Sequence, residues 1–509
     1  MAHRFDAVVI GAGLGGLSAA ASMAKRGLSV AVLEKHGVPG GYATSFNRGR
    51  FEFEVALHEL SGVGSTDQPG PVYEYLRWLG VLDQLTFQPI PDLYRSIFPN
   101  HDVRLPFGWD AYQNTLISLF PHEAQGIRQL LELIRTVDVE TRSLEEKFNK
   151  GQMDVATFLK VPVTSPNVLR YQGRTWKSVL TRYIKDPEAQ AIISQYWGYV
   201  GMPPSKASFF YFALMLAVYI KSGAAYVHGR SQALSNAFVS AIEANGGKVQ
   251  FNTKCSGIVV KSGRVVGVET ASGEFFEGKV VISNSDPIHT TRMLPEEAVP
   301  ASWQRRLQAS VVGGSSINVY LGLDRSSESL GIQDHEVFVN LDYDQDEHFR
   351  VMHTLETPKA MCVTTYNICD PTISPPGTSS VVLTGLAYGA PWFTLDPSQY
   401  VATKRRMADG MLAMAERVVP DIRQCIEVMD ISTPVTNYRY TGNYEGAIYG
   451  FEQPPWDATV WRLGHKGPVE GLFLVGAFTQ PGGGFQPAIA SGQMVAEEVM
   501  QGSFAKRGV

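Results

Sequence analysis

A chain of 509 residues, 44% hydrophobic and 18% charged, has a globular composition with enough apolar material for more than one core and for enclosing a large ligand. Its net charge is only −5 and its charged residues are dispersed rather than gathered in runs, which excludes an electrostatic nucleic-acid partner. Cys255, Cys362, Cys369 and Cys425 are widely spaced, with no CxxC and no histidine cluster at ligand spacing, so no metal site or disulfide framework is expected and reduced cytoplasmic thiols are.

The opening MAHRFDAVVIG enters its first strand too early for a signal peptide, and no export is expected. Ala7 to Ile10 is a short apolar run ending on glycine; a small-residue helix and a second apolar run, Val30 to Leu33, follow, and Glu34 ends that run. The turn between them reads Gly11, Ala12, Gly13, Leu14, Gly15, Gly16. Gly11 permits a tight strand-to-helix turn, Gly13 lets backbone approach a pyrophosphate, and Gly16 lets the helix lie close to the sheet. The helix N-terminus then faces the phosphates, and Glu34 is placed to accept hydrogen bonds from a ribose diol. With Lys35 beside it, this stretch forms one complete dinucleotide-binding unit of an α/β, Rossmann-like domain. A second glycine pair, Gly40 and Gly41, follows at a distance that returns the chain to the cofactor's pyrophosphate in flavoproteins with such an opening.

From about Pro71 to Ser222 no βαβ pattern appears, whereas amphipathic helical stretches such as Glu123 to Lys150 do. The segment is rich in aromatics, among them Trp176, Tyr196, Tyr199 and Tyr219, most of which are expected in a core. Its most apolar part, Ala207 to Ile220, is about 14 residues long against the roughly 20 a membrane span needs, so a buried core helix is expected, with a helix lining a lipid tunnel or dipping into a membrane surface as the alternative. Tyr226 to Pro287 reads as a helix ending at Gly246 and Gly247, then a strand, then a hairpin turning at Ser262 and Gly263. Strand-like runs punctuated by Pro and Gly occupy residues 288–444 and suggest a sheet flooring a pocket. Finally, Leu472 to Val475 reads as a buried strand ending on Gly476, Pro481 to Gly484 as a tight loop, and the next residues as a helix start. That helix N-terminus, at Gly484, Phe485 and Gln486, is positioned to stabilise negative charge on a reduced flavin.

These stretches together resemble the carotenoid (phytoene) desaturase, carotenoid isomerase and retinol saturase family of FAD enzymes. The resemblance rests on the opening fingerprint, the glycine pair with Thr44 and an aromatic, the segment Ser283 to Pro287, and the VGA and PGxG pattern around Gly476 and Ala477. It departs where the family has a Phe-Asp-x-Gly turn, since Glu54 and Ala56 replace the acid and the glycine. The resemblance implies FAD as cofactor, Cys255 at a position that binds adenine through its backbone, and a Rossmann-like FAD domain of the amine-oxidase-like type. That domain would comprise residues 1–70, 225–290 and 445–509, interleaved with a helix-rich (71–224) and mixed-sheet (291–444) substrate domain. It implies redox or isomerisation chemistry on carbon–carbon bonds of an apolar isoprenoid, with His58, Glu59, Arg230 and Tyr444 as candidates for a polar role near the flavin. On a strand, adjacent His58 and Glu59 would face opposite sides. Only one dinucleotide fingerprint is present, leaving the electron partner open among oxygen, a quinone, another protein or a transient nicotinamide. Two alternatives stand beside this reading: an FAD oxidase of a smaller or more polar metabolite, and a non-catalytic prenyl-lipid carrier of the GDP-dissociation-inhibitor type. The neutral, unspanning chain is compatible with a peripheral membrane contact and no deeper one.

Overall fold

In a computed structural model, residues 3–65, 67–149 and 155–504 are described. The first strand, His3–Ile10, pairs in parallel with Val30–Leu33 on one side and Phe275–Ser283 on the other. Lys248–Gln250 extends the sheet beyond Val30–Leu33, Leu472–Leu474 joins Phe275–Ser283 in parallel, and the antiparallel strands Cys255–Lys261 and Arg264–Thr270 complete seven strands. Three chain segments far apart in sequence therefore meet in one sheet. Its central runs are apolar throughout because helices cover the face on which Leu14–Lys25, Arg230–Ala244 and Phe485–Gln501 pack. Close approach there depends on missing side chains: a Cβ on Gly492 would stand 2.4 Å from the Gly15 carbonyl oxygen, and one on Gly16 would stand 2.3 Å from that of Gly11.

A second seven-stranded sheet runs in the order Ile426–Ser432, Ser315–Leu323, Ser379–Ala387, Ala360–Thr365, Glu336–Asn340, Tyr94–Ile97, Asp102–Leu105. All its pairings are antiparallel except that of Glu336–Asn340 with Tyr94–Ile97. Its outer face packs on Tyr400–Ala415. Strands from residues 94–105 thus enter this sheet out of a mostly helical segment, which also contributes Phe87–Pro89 to a two-stranded ribbon with Ala225–Val227.

The helical layer holds Ala124–Asn149 and Phe209–Ser222, which pack against each other; Lys150, the expected end of the first, lies outside the described residues. Phe209–Ser222 is capped at its start by the Ser208 hydroxyl and buries Phe209, Phe212, Leu216 and Ile220, with Trp176 stacked on Phe212 at 4.3 Å. No described helix is long and apolar enough to cross a membrane.

Candidate active site

The glycine turn and the glycine pair meet. Gly40 N–H donates to the Ala12 carbonyl at 2.7 Å, Gly13 and Gly40 form an isolated parallel bridge, and a Cβ on Gly41 would stand 3.6 Å from Gly13 Cα. Glu34 closes the far side. Its Oε2 accepts from Ala12 N–H at 2.7 Å and its Oε1 from His36 N–H at 2.9 Å, so the carboxylate is held against the turn with further lone pairs for a ligand. These groups form one end of a cavity of about 1770 Å³, beyond the 300–1,000 Å³ of a typical small-ligand site. Thr253, Lys254, Cys255 and Ala271 line the pocket next to Glu34. Burial and the Glu34 charge push the Cys255 thiol up to about 12, so it stays a neutral thiol there.

Further along, Gly476, Ala477, Gly483, Gly484, Phe485 and Gln486 form another wall. The helix Phe485–Gln501 begins there with Gly484 as N-cap and no side-chain cap, so its first-turn N–H groups have no partner within the helix. Behind this wall lies Arg462, whose guanidinium donates to the carbonyls of Thr479, Phe451, Glu452, Tyr449 and Ala477. Two glycine turns without side chains, a held carboxylate and two helix N-termini without side-chain caps at Gly13 and Gly484 fit a dinucleotide cofactor.

The remaining cavity wall is aromatic and apolar: Tyr199, Phe210, Tyr211, Leu214, Met215, Val218, Tyr219, Leu386, Ile448 and Tyr449. His58 and Glu59 line the cavity as well. The expected strand alternation of these two residues is absent. Glu54 Oε1 accepts from Val55 N–H at 3.1 Å and Leu57 N–H at 3.4 Å, turning the chain out of the hairpin, and both His58 and Glu59 line the cavity. Leu60 and Ala225 exchange backbone hydrogen bonds and pin the segment beyond them. The Glu59 carboxyl is 7% exposed and lies against two phenols, Tyr196 at 3.3 Å and Tyr199 at 3.2 Å; Tyr199 also reaches Glu336 at 2.7 Å. Burial, then the Glu336 charge, raise the Glu59 pKa well above the usual carboxylate range. The buried His335 donates through Nε2 to the His58 carbonyl at 2.7 Å, and burial lowers its pKa, so its ring is neutral.

Of the residues expected to hold cofactor, Gly11, Gly13, Leu14, Gly15, Glu34, Lys35, Gly40, Gly41, Cys255, Gly476, Ala477, Gly484, Phe485 and Gln486 line this one cavity, while Ala12, Gly16 and Thr44 do not. The Thr44 hydroxyl instead donates to Gln232 Oε1 at 2.6 Å. Arg230 and Tyr444 also lie outside the lining. Arg230 is buried in an ion pair with Glu52 at 2.9 Å and donates to the Thr372 carbonyl at 2.9 Å, so its charge serves the packing of the helix it begins. Tyr444 presents its ring to the Arg292 guanidinium at 5.8 Å and its N–H to Asp286 at 3.1 Å.

Sequence reasoning missed Asn284 and Glu336. Asn284 Oδ1 accepts from Gly16 N–H at 3.1 Å, and the side chain covers the glycine turn so closely that a Cβ on Gly13 would meet its Nδ2 at 2.4 Å. It lies inside the segment Ser283 to Pro287 that carries the resemblance, as a polar residue directly after a buried strand, but nothing local assigns it to the glycine turn. Glu336 opens a strand buried at all five positions, and a lone acid in such a run was the available clue.

Comparison with known proteins places this geometry in context. The model of a family described as flavin containing amine oxidoreductase matches residues 14–500. A chloroplastic prolycopene isomerase 1 of an Oncidium hybrid cultivar is 25% identical, the match spanning 98% of this chain and 84% of the relative. The all-trans-retinol 13,14-reductase of Danio rerio is 26% identical over 92% of this chain and 82% of its own. A crystal structure of an oxidoreductase from Methanosarcina mazei superposes with a TM-score of 0.65 at 18% identity, over 97% of this chain and all 100% of that one, a likeness of fold.

Proposed function

Because the chain belongs to the flavin containing amine oxidoreductase family, we propose that it is an FAD-dependent oxidoreductase that desaturates, saturates or isomerises carbon–carbon double bonds of an apolar isoprenoid or polyene. The observation that carries this reading is the single cavity of about 1770 Å³, with cradle-like glycine turns at one end and an aromatic, apolar chamber at the other. In it, Gly11, Gly13, Gly15, Gly40 and Gly41 would hold the pyrophosphate, Glu34 the ribose and the backbone at Cys255 the adenine, while the helix start at Gly484 to Gln486 would face the flavin. Bound there, FAD supplies hydride exchange. The chain supplies apolar burial for the substrate, exclusion of water and a small set of polar groups around Glu59. Residues 1–70, 225–290 and 445–509 form the cofactor domain in this reading, and 71–224 with 291–444 the substrate domain.

The proposal extends to a cytoplasmic protein with a peripheral contact at a membrane. Trp456 and Trp461 are 76% and 60% exposed beside Thr459 and Val460, which line the cavity, so an exposed aromatic surface adjoins the cavity wall and supports that contact. The test is anaerobic photoreduction of the purified yellow protein followed by all-trans-retinol or prolycopene, with product analysis. Flavin reoxidation with loss of a double bond identifies a saturase, rearrangement with flavin still reduced an isomerase, and bleaching of oxidised flavin a desaturase. A colourless protein that takes up no FAD overturns the proposal.

A further inference from the structure

We propose that Glu59, Tyr199 and Glu336 form a shared-proton relay at the cavity wall, in which Glu59 gives a proton to a carbon of the substrate's double bond and takes one back, with Tyr199 and Glu336 as positioning residues. The inference rests on the function proposed above and deepens it by assigning the acid and base.

Counting hydrogens leads to it. Tyr199 Oη lies 2.7 Å from Glu336 Oε1 and 3.2 Å from Glu59 Oε2, while Tyr196 Oη lies 2.7 Å from the Leu93 carbonyl and 3.3 Å from the same Glu59 oxygen. Each phenol has one proton to donate. Tyr196 spends its proton on Leu93, and Tyr199 has one proton for two carboxyl oxygens, so both Tyr199 contacts are hydrogen bonds only if Glu59 or Glu336 carries a proton. Two carboxyls bridged by one phenol in a buried site hold one negative charge far better than two. Burial acts in the same direction on Glu59.

The groups facing the pair give it no countercharge. Tyr196, Tyr199 and Tyr219 are all held protonated by burial and by the nearby carboxyls; Cys362 is likewise a neutral thiol, and His335 is a neutral imidazole. Cys369 and Tyr449 also face the pair and are held protonated by burial, and the His58 ring lies tilted against Tyr199 with ring centres 5.4 Å apart. Among the described residues neither carboxyl forms an ion pair. Glu59 Oε1 is buried with no hydrogen-bond partner among them, on a residue that lines the cavity. Glu336 Oε2 is unpartnered in the same way, so each carboxyl of the pair keeps one oxygen unsatisfied, and of the two residues Glu59 is the one that lines the large cavity.

The step balances without a further reagent. The O–H bond of Glu59 breaks as the π pair of the double bond forms a C–H bond, leaving a cationic polyene beside a carboxylate. Tyr199 and Tyr219 present rings that favour a cation. Loss of a proton from the same or a neighbouring carbon to Glu59 restores the π bond and the acid. Between the two events, rotation about the former double bond is open.

The experiment uses the full chain loaded with FAD, as wild type and as Glu59→Gln, Glu336→Gln and Tyr199→Phe. Infrared difference spectra are recorded at a pH where Glu54, pushed up to about 7, is ionised. The expected result is one protonated-carboxyl band that shifts in D2O, disappears in Glu59→Gln and moves in Tyr199→Phe and Glu336→Gln. In D2O with all-trans-retinol or prolycopene, wild type places deuterium on a chain carbon, and Glu59→Gln slows this by about 100-fold or more with flavin absorbance and polyene binding unchanged. Absence of the band, or labelling in Glu59→Gln at the wild-type rate, overturns the relay. A wild type without flavin or without polyene binding but with the band present overturns the proposed function and leaves the shared proton standing, so the two failures are distinguishable.

Discussion

Replacing Glu54 by Gln should change how stability depends on pH more than it changes the fold. Glu54 ends the hairpin strand Phe51–Glu54 and is fully buried; its carboxyl accepts from Ser231 N–H at 2.7 Å and Ser231 Oγ at 2.5 Å at the start of helix Arg230–Ala244, and from Tyr226 Oη at 3.3 Å. Burial outweighs those donors and lifts the pKa from 4.5 to about 7. A raised acid pKa means the folded chain holds a proton that the unfolded chain releases. The stabilisation is complete below 4.5 and is lost as pH rises through about 7. The shift corresponds to about 3 kcal/mol over the whole window at 1.36 kcal/mol per unit, most of it between roughly pH 5 and 8. Urea unfolding of wild type and Glu54→Gln at those two pH values isolates the effect, because any fixed cost of the amide cancels in the difference. Wild type should lose about 2 to 3 kcal/mol relative to the variant on going from acid to alkaline pH. Parallel pH curves for the two proteins would refute the reasoning and show a carboxylate stabilised as an anion by the Ser231 donors.

Gly40→Ala should abolish FAD retention, read from flavin absorbance after gel filtration, since φ is +120° and a Cβ would stand 1.9 Å from the Ala43 carbonyl oxygen. Arg230→Met should lower Tm, equivalent to about 3 kcal/mol for leaving Glu52 and Asp370 partly buried without their cation, with flavin spectrum and kcat retained; a selective loss of kcat would return Arg230 to the active site. Arg462→Met should cost about 3 kcal/mol or more by urea unfolding, because five carbonyls lose their donor at once, and Arg462→Lys should recover only part of it. Glu34→Ala should weaken FAD binding in fluorescence titration about tenfold or more by freeing the turn and removing a ribose acceptor.

The sequence by itself determined the elements whose physics is local. Gly11 to Glu34 is legible because a tight turn, a small-residue helix and an apolar strand each need particular residues at particular spacings, and the family followed from such stretches at 98% coverage despite 25% identity. The apolar character of Phe209–Ser222 was equally legible, but only packing decides that Phe209, Phe212 and Leu216 enter the core while Phe210, Leu214 and Val218 line the cavity. What it could not supply were contacts made across the fold. Arg230 and Tyr444 look as available for chemistry as Glu59 does, and only packing decides that Arg230 meets Glu52 and Asp370 while Glu59 meets Tyr199 and, through it, Glu336, 277 positions along the chain. A buried charge has no periodicity of its own. Its chemistry is set by the dielectric and the donors around it, and here those come from a loop, a short helix and a strand that tertiary structure alone brings together.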